Sequence, residues 1–418
     1  MKRYLLITLL ITLTKLVNAA DIVEINGIFY DLKPVKVGTA SVTYDPTVVN
    51  RKEYSGSVII PSEIEYDGNT YKVNEIGTYA FMGCRELTSV ELPEGLITIG
   101  FGGFDGCSGL QTINIPSTVT TIMQWAFRDC TSLTGVNITD IEAWCNIDFD
   151  DYGNPLYYAN HLIINGVDTE NLVIPDDVTT IKSRVFNGFA SLKSVNLGKG
   201  VTSIGSYAFA WCTSLTTISI PDNVKEIGGC AFYECSALKD INLSSSLELL
   251  DKSVFEKCSS LEKIKIPNGI KTIETYAFSG CTNLKKLYLS ESVEKIGASA
   301  FGSCENIEDV YCYAIDPPTP TITWYVNVLS DYFWQSYAEY ATLHVPESSI
   351  DIYKNATFWK NFGTIVALTE DDTAINTTSI HNCLEKYYSL DGHHIYSPKK
   401  GINIIKMPNG QIKKTIVK

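Results

Sequence analysis

Phenylalanine and cysteine recur every 23 residues through the middle of the chain, and no other property of the sequence limits the fold as strongly. One run of the phenylalanine column extends from Phe81 to Phe127, and a second extends from Phe186 to Phe301. Together they mark nine units. Self-similarity at such a period indicates a solenoid, in which like units stack along one axis. A cysteine follows three residues later in eight units, at Cys84, Cys107, Cys130, Cys212, Cys235, Cys258, Cys281 and Cys304.

Each unit combines a strand pattern with a turn pattern. In the unit that begins at Ile204, Ile218 and Ile220 alternate with polar residues, which predicts one short strand with a buried face. Pro221 ends this strand, because proline cannot donate to a ladder. The spacing of Phe209 and its neighbours predicts a single helical turn directed inward. Because one unit cannot close a core, the expected fold is a strand-rich repeat solenoid of 23-residue units with short helical turns.

The cysteine column is interpreted as part of the core. Thiols in adjacent units would lie about 5 Å apart, which is near enough for a disulfide. However, Phe189 takes the cysteine position in the fourth unit, and every cysteine has equivalent neighbours on both sides, so no pairing is specified. No Cys-x-x-Cys pair or histidine cluster accompanies the column, which argues against zinc. The sequence therefore predicts eight buried, reduced thiols.

The N-terminus has the pattern of an export signal. Residues 1–3 are basic at two positions, residues 4–13 are apolar, and small residues precede a cleavage site at Ala19. The alternative is a short membrane anchor, but an apolar stretch of about ten residues is half of what a span needs. We expect residues 1–19 to be removed and the mature chain to contain no transmembrane span.

The remaining chain divides by composition. The array covers 76–312 and is interrupted by an irregular insert at about 139–175. The acidic residues Asp148, Asp150 and Asp151 of the insert invite a calcium interpretation, but Tyr152 and Ala159 stand where an EF-hand loop needs ligands, so a solvated loop is favoured. The flanking segments are a β-rich N-terminal cap at 20–75, a C-terminal capping segment at 313–368, a linker at 369–383 and a lysine-rich tail of three short strands at 384–418.

The unit Ile-Gly-x-x-Ala-Phe-x-x-Cys-x-x-Leu-x-x-Ile-x-Ile-Pro resembles the repeat of the BspA-type leucine-rich-repeat proteins, which are surface and secreted proteins typical of Bacteroidetes. The resemblance covers about 76–312 and implies a leucine-rich-repeat solenoid with a role in adhesion or in binding host matrix proteins. It names no partner. The tail resembles the C-terminal segments of exported Bacteroidetes proteins, some of which are sorting signals for secretion.

Charge and motifs exclude several classes of function. The net charge of −14 disfavours nucleic acid, because a phosphate backbone would be repelled. The sequence contains no Gly-x-Ser-x-Gly elbow, phosphate loop or His-Glu-x-x-His motif. We therefore expect a protein that is not an enzyme and needs no cofactor or metal.

Function on a solenoid is expected at outward positions, where the units differ. One outward strand column is amide-rich early, basic in the middle and aromatic at its end. The candidate partner-binding residues are Asn114, Asn137, Asn196, Asn242, Lys263, Lys265, Lys286, Tyr288 and Tyr311. A second column, just before the alanine of each unit, includes Arg184 and Tyr207, and its large residues either bind a ligand or cover their own coil.

The sequence predicts a secreted or cell-surface protein that binds a host or matrix protein through the strand column. A glycan- or nutrient-binding role is the alternative, supported only by Trp125, Trp144, Trp211 and the tyrosines. A structural spacer that displays the tail is a third interpretation. If the strand column does not bind, the irregular segment from Trp144 to Tyr158 is the next place to look.

Overall fold

The computed structural model describes residues 21–33, 36–45, 54–321, 331–369 and 372, and the backbone of four tail strands. The predicted export signal at 1–19 and most of the predicted linker at 369–383 lie outside the described residues. The tail strands form one antiparallel sheet, one strand more than predicted. They are Lys386–Tyr388, His394–Ile395, Gly401–Lys406 and Ile412–Val417.

The chain winds into a β-solenoid whose coils contribute strands to two ladders, where the sequence predicted one strand per unit. The first ladder contains the predicted strands, which are Leu87–Glu91, Thr112–Asn114, Gly135–Ile138, Leu162–Ile164, Asn171–Val173, Ser194–Asn196, Thr217–Ser219, Asp240–Asn242, Lys263–Ile266, Lys286–Leu289 and Asp309–Cys312. The second ladder contains Thr98–Ile99, Thr121–Ile122, Asp148–Phe149, Thr180–Ile181, Ser203–Ile204, Glu226–Ile227, Leu249–Leu250, Thr272–Ile273, Lys295–Ile296 and Thr319–Pro320. Within each sheet these strands pair in parallel, so equivalent residues of successive coils lie side by side.

The segment predicted as a helical turn is a series of tight turns instead. The amides of Ala208 and Ala210 donate within the coil to the carbonyls three residues earlier. The amides of Tyr207, Phe209 and Trp211 donate to the next coil, at distances of 2.8–3.1 Å. A helix would direct every amide along its own axis, whereas stacked coils need alternate amides directed at their neighbours. Tyr207 and Trp211 accordingly have left-handed backbones, with φ of 58° and 60°.

The phenylalanine and cysteine columns form the core of the array. Phe209 is fully buried and stacks on Phe186 and Phe232 at centroid distances of 5.2 and 5.4 Å. Each column cysteine after Cys84 donates its thiol hydrogen to the carbonyl of the column phenylalanine in the preceding coil, at 3.1–3.3 Å. The column therefore joins successive coils as well as filling space between them. All eight column cysteines are buried and free in the structure.

We expect these eight cysteines to resist alkylation in the native protein, because burial raises the pKa of the Cys130 thiol to about 12 and raises that of Cys235. The thiolate is the reactive form, so burial protects these thiols by excluding the reagent, and at Cys130 and Cys235 also by disfavouring ionisation. The half-buried Cys230 is the matched control and should be labelled. Mass spectrometry before and after unfolding, without a reductant, is the measurement. A disulfide between Cys84 and Cys107, or between Cys235 and Cys258, would contradict the core-ladder interpretation.

The N-terminal segment continues both ladders and closes the first coil. Gly56–Ile59 pairs with Leu87–Glu91, and Asn69–Ile76 pairs with Thr98–Ile99. Tyr54 covers Phe81, with ring centroids 4.8 Å apart. The other strands of this segment are Asp21–Ile25, Ile28–Leu32, Thr39–Thr43 and Glu63–Tyr66.

The C-terminal segment ends the array with a closing coil. Phe333 continues the phenylalanine column by stacking on Phe301 at 5.4 Å, and the fully buried Trp359 packs beneath it. Two strands, Thr342–Val345 and Thr364–Ala367, extend the first ladder. The short helices of this segment are Ala338–Tyr340, Glu347–Ser349, Ile350–Asn355 and Trp359–Asn361.

The insert forms a variant coil that interrupts both ladders. It contributes Asp148–Phe149 to the second ladder and Leu162–Ile164 to the first, and the latter strand turns back into a hairpin with Val167–Asp168. Two short helices, Ile141–Cys145 and Leu156–Ala159, replace the tight turns. New sheets begin at Asn171–Val173 and Thr180–Ile181, so the array has a discontinuity here.

Candidate functional site

The strand face, defined as the outward side chains of the first ladder, contains the nine predicted contact residues. The structure does not bring the four asparagines together. Asn114 and Asn137 are neighbours in register, whereas Asn196 and Asn242 lie in the sheet that begins after the insert, with the Thr217–Ser219 strand between them. Asn137 is half-buried and the other three are exposed.

The lysines and tyrosines, in contrast, form one continuous surface. Lys263 lies directly beside Lys286, and Lys265 lies beside Tyr288, on paired strands. We call Lys263, Lys265 and Lys286 the basic patch. The Lys265 ammonium lies 5.6 Å from the centroid of the Tyr288 ring, and the pKa of Lys265 is lowered by partial burial and then by the charge of Lys263. The positive charge of Lys286 is partly balanced by Asp309, whose carboxylate oxygen lies 3.9 Å from the Lys286 ammonium.

Tyr311 points outward as expected but is covered by its neighbours. Its ring is stacked between Tyr288 at 4.7 Å and His344 at 4.3 Å, and only 7% of the residue is exposed. Burial raises the pKa of the Tyr311 hydroxyl to about 12. His344 is fixed in turn by Asp309, at 2.9 Å. Tyr311 therefore supports the ring stack, and Tyr288 is the more accessible aromatic of the predicted pair.

A cleft of about 260 Å³ lies at the discontinuity made by the insert. The insert supplies one wall and the two following coils supply the other. We call this site the insert cleft, lined by Asp150, Asp151, Tyr152, Asn154, Tyr157, Arg184, Asn187, Tyr207 and Trp211.

Four aromatic rings form the apolar part of the insert cleft. Tyr157 is perpendicular to Tyr152 at 6.0 Å and nearly perpendicular to Trp211 at 6.1 Å. Tyr207 lies parallel to Trp211 at 6.3 Å. The pKa of Tyr207 is raised to about 12, first by its hydrogen-bonding contact with Cys230 and then by burial, so its hydroxyl stays neutral at physiological pH.

Two of the polar side chains of the cleft are held by specific partners. Arg184 pairs with the Asp151 carboxylate, and its guanidinium lies 5.3 Å above the Tyr207 ring. The Asn154 amide donates to the carbonyls of Arg184 and Val185, at 2.7 and 2.9 Å. Asn187, in contrast, is only 9% exposed, and its carboxamide makes no hydrogen bond within the described part of the chain.

The sequence indicates parts of the insert cleft, but not that they meet. Arg184 and Tyr207 stand in the second outward column, and the segment from Trp144 to Tyr158 departs from the repeat. Trp144 itself is 1% exposed and donates to the Val185 carbonyl at 3.1 Å, so it anchors the insert and is not available to a ligand. Asn187 had no sequence signal, because its position in the unit is occupied by many residue types.

Comparison with known proteins now identifies the family. The family model for the BspA type leucine-rich repeat region matches in six copies, within residues 62–147, 164–268, 202–315 and 248–387. The chain belongs to the BspA-type leucine-rich-repeat family. This confirms the expected fold class, a leucine-rich-repeat solenoid of 23-residue units. No curated protein matches the chain.

Several solved structures resemble this BspA-type solenoid. A leucine rich cell surface protein from Faecalibacterium prausnitzii is 23% identical, with 75% of this chain and 98% of that chain covered and a TM-score of 0.35. A leucine-rich repeat protein from Bacteroides ovatus is 21% identical, with 83% and 100% covered and a TM-score of 0.38. The pneumococcal vaccine antigen PcpA is 16% identical, with 84% and 100% covered and a TM-score of 0.48.

None of the helices in the described residues combines the length and apolar character that crossing a bilayer requires. In the same part of the BspA-type chain, no group of three or more His, Cys, Asp or Glu side chains is placed to hold a metal ion.

Proposed function

We propose that this BspA-type protein is a secreted or cell-surface binding protein whose strand face binds a protein partner, with adhesion to host or matrix proteins as the outcome. Membership of a repeat family supports a binding role, since each coil adds to one extended surface. Substitutions at the outward positions of single coils can adapt this surface to a partner. The absence of nucleophile, phosphate-loop and metal motifs from the sequence supports a role that is not enzymatic.

The basic patch is the observation that carries this proposal. The chain is strongly acidic, at −14, yet three lysines gather on two adjacent strands beside an aromatic ring stack. Arginine- or lysine-rich surfaces of this kind steer acidic partners, while the neighbouring aromatic rings provide contact area at low entropic cost. The expected partner is therefore a protein with an acidic surface, such as an anionic glycoprotein.

Replacing Lys263, Lys265 and Lys286 together by glutamate should slow association with such a partner by about tenfold or more, because electrostatic steering contributes at least that factor. The wild-type association rate should also fall as salt rises, since screening acts over about 10 Å at 0.1 M. The measurement is surface plasmon resonance of the full chain against a panel of immobilised matrix glycoproteins.

The matched control replaces the exposed residues Lys225, Lys252 and Lys271 by glutamate, which changes the net charge equally but lies off the strand face. If both triple variants slow association equally, the effect is one of total charge and the basic patch has no special role. A partner whose association rate ignores salt and both variants would remove the strand face as its binding surface.

A further inference from the structure

We infer that the insert cleft is a binding site for a neutral saccharide of one or two rings. This inference goes beyond the protein-binding function proposed above and concerns a different surface, formed by the insert and two coils rather than by the strand face. A volume of about 260 Å³ is slightly below the range of drug-sized sites, roughly 300–1,000 Å³, so a small ligand is expected.

The aromatic walls fit the apolar faces of sugar rings. Tyr152 and Tyr157 are 55% and 37% exposed, so their rings are available to a ligand. Ring faces carry negative charge density and ring edges positive, so the polarised C–H groups of a pyranose pack favourably on the flat surfaces. Because Tyr157 is nearly perpendicular to both Tyr152 and Trp211, the cleft offers walls in two directions.

The polar groups decide between chemical classes of ligand. Asn187 as a whole is only 9% exposed, lines the cleft, and has both a donor and an acceptor of its carboxamide unused within the described residues. A sugar hydroxyl satisfies both roles, since it donates and accepts. A cation would satisfy the oxygen alone and would make no use of the amide hydrogens.

Charge in the cleft also disfavours an anionic sugar. Arg184 is neutralised by Asp151, and the exposed carboxylate of Asp150 remains at the rim. A sialylated or sulfated ligand would meet this carboxylate without a free cation nearby, whereas neighbouring hydroxyls of a neutral sugar can donate to it.

The cleft is held in shape before a ligand arrives. The indole of Trp144 and the amide of Asn154 both fasten the insert to the backbone at Val185. Gly188 permits the closest approach, since a Cβ there would lie 2.6 Å from the Cα of Tyr157. A preformed site avoids the entropic cost of ordering its walls on binding.

The test is binding of the full chain to an array of neutral oligosaccharides, followed by calorimetric titration with the best one. Tyr157→Ala and Asn187→Ala should each weaken that binding by about tenfold, which corresponds to roughly 1.4 kcal/mol for a lost contact. Tyr276→Ala is the matched control, because Tyr276 is 40% exposed but lies outside the cleft, and it should leave the affinity unchanged. Circular dichroism of each variant checks that it is folded.

Two further kinds of probe test the alternative classes of ligand, an anion and an organic cation. Sialylated and sulfated oligosaccharides test for an anion site, and tetramethylammonium tests for an aromatic cation site. Binding of either probe that depends on Tyr157, without neutral saccharide binding, would overturn the inference, as would saccharide binding that all three variants leave unchanged. The Lys263, Lys265 and Lys286 triple variant should bind the saccharide normally, so failure of the strand-face proposal can be told apart from failure of this one.

Discussion

Replacing Phe209 by alanine is expected to lower the free energy of unfolding by about 3–5 kcal/mol. Phe209 is fully buried, and its ring stacks on a phenylalanine of the coil on each side, Phe186 and Phe232. The truncation leaves a cavity that borders the coils on both sides. The hydrogen bonds between coils prevent the backbone from moving in to close it. Urea unfolding followed by far-UV circular dichroism is the measurement.

Tyr207→Ala is the control, two residues away in the same coil. Tyr207 is only half-buried, so its loss removes surface contacts with Arg184 and Trp211 and creates no enclosed cavity. The expected loss is about 1 kcal/mol or less, as for a substitution outside the core. Equal losses for the two variants would mean that the inside and outside of the coil are assigned wrongly.

Trp359→Ala should be at least as damaging, and it tests the closing coil. The side chain is 1% exposed, its indole donates to the Pro318 carbonyl at 3.1 Å, and its ring lies 5.3 Å from Tyr353 and 6.1 Å from Phe333. Truncation creates a cavity and removes one of the two hydrogen bonds to that carbonyl, to which the Tyr332 hydroxyl still donates at 3.2 Å, so a loss of about 3–5 kcal/mol is expected. Since a solenoid depends on its end coils for protection, unfolding should spread from this end into the array.

Trp334→Ala provides a comparison with the same change of residue. Trp334 is 54% exposed, and the hydrogen bond that it accepts from the Ser303 amide uses its backbone carbonyl, which alanine retains. The variant should unfold at nearly the wild-type urea concentration. Hydrogen exchange of amides in the 300–312 region would then report fraying in Trp359→Ala but not in Trp334→Ala. Similar exchange in both variants would show that Trp359 does not hold the closing coil.

The candidate sites were predictable to different degrees. The basic patch could be placed from sequence, because a constant period puts Lys263 and Lys286 on adjacent strands. The covering of Tyr311 could not, since it depends on His344, which belongs to the closing coil and lies 33 residues further along the chain instead of 23. The insert cleft could not be predicted from the sequence for the same reason, because part of it lies outside the 23-residue spacing. Tyr157 meets Trp211 only because the non-repeating insert folds back onto two coils that follow it.

The sequence by itself determined which side chains form the core and how the coils follow one another. Apolar residues that recur at a strict period can be buried only when equivalent positions of successive units stack on one another. That period is a matter of local spacing, which is visible in the sequence alone. Tertiary structure decided how the turns are made, which outward residues are covered and where a cleft opens. Residues such as Tyr207 adopt a left-handed backbone, at φ of 58°, against a local preference of about 1–2 kcal/mol. The hydrogen bonds to the next coil help to offset that preference, and those bonds exist only in the stacked array.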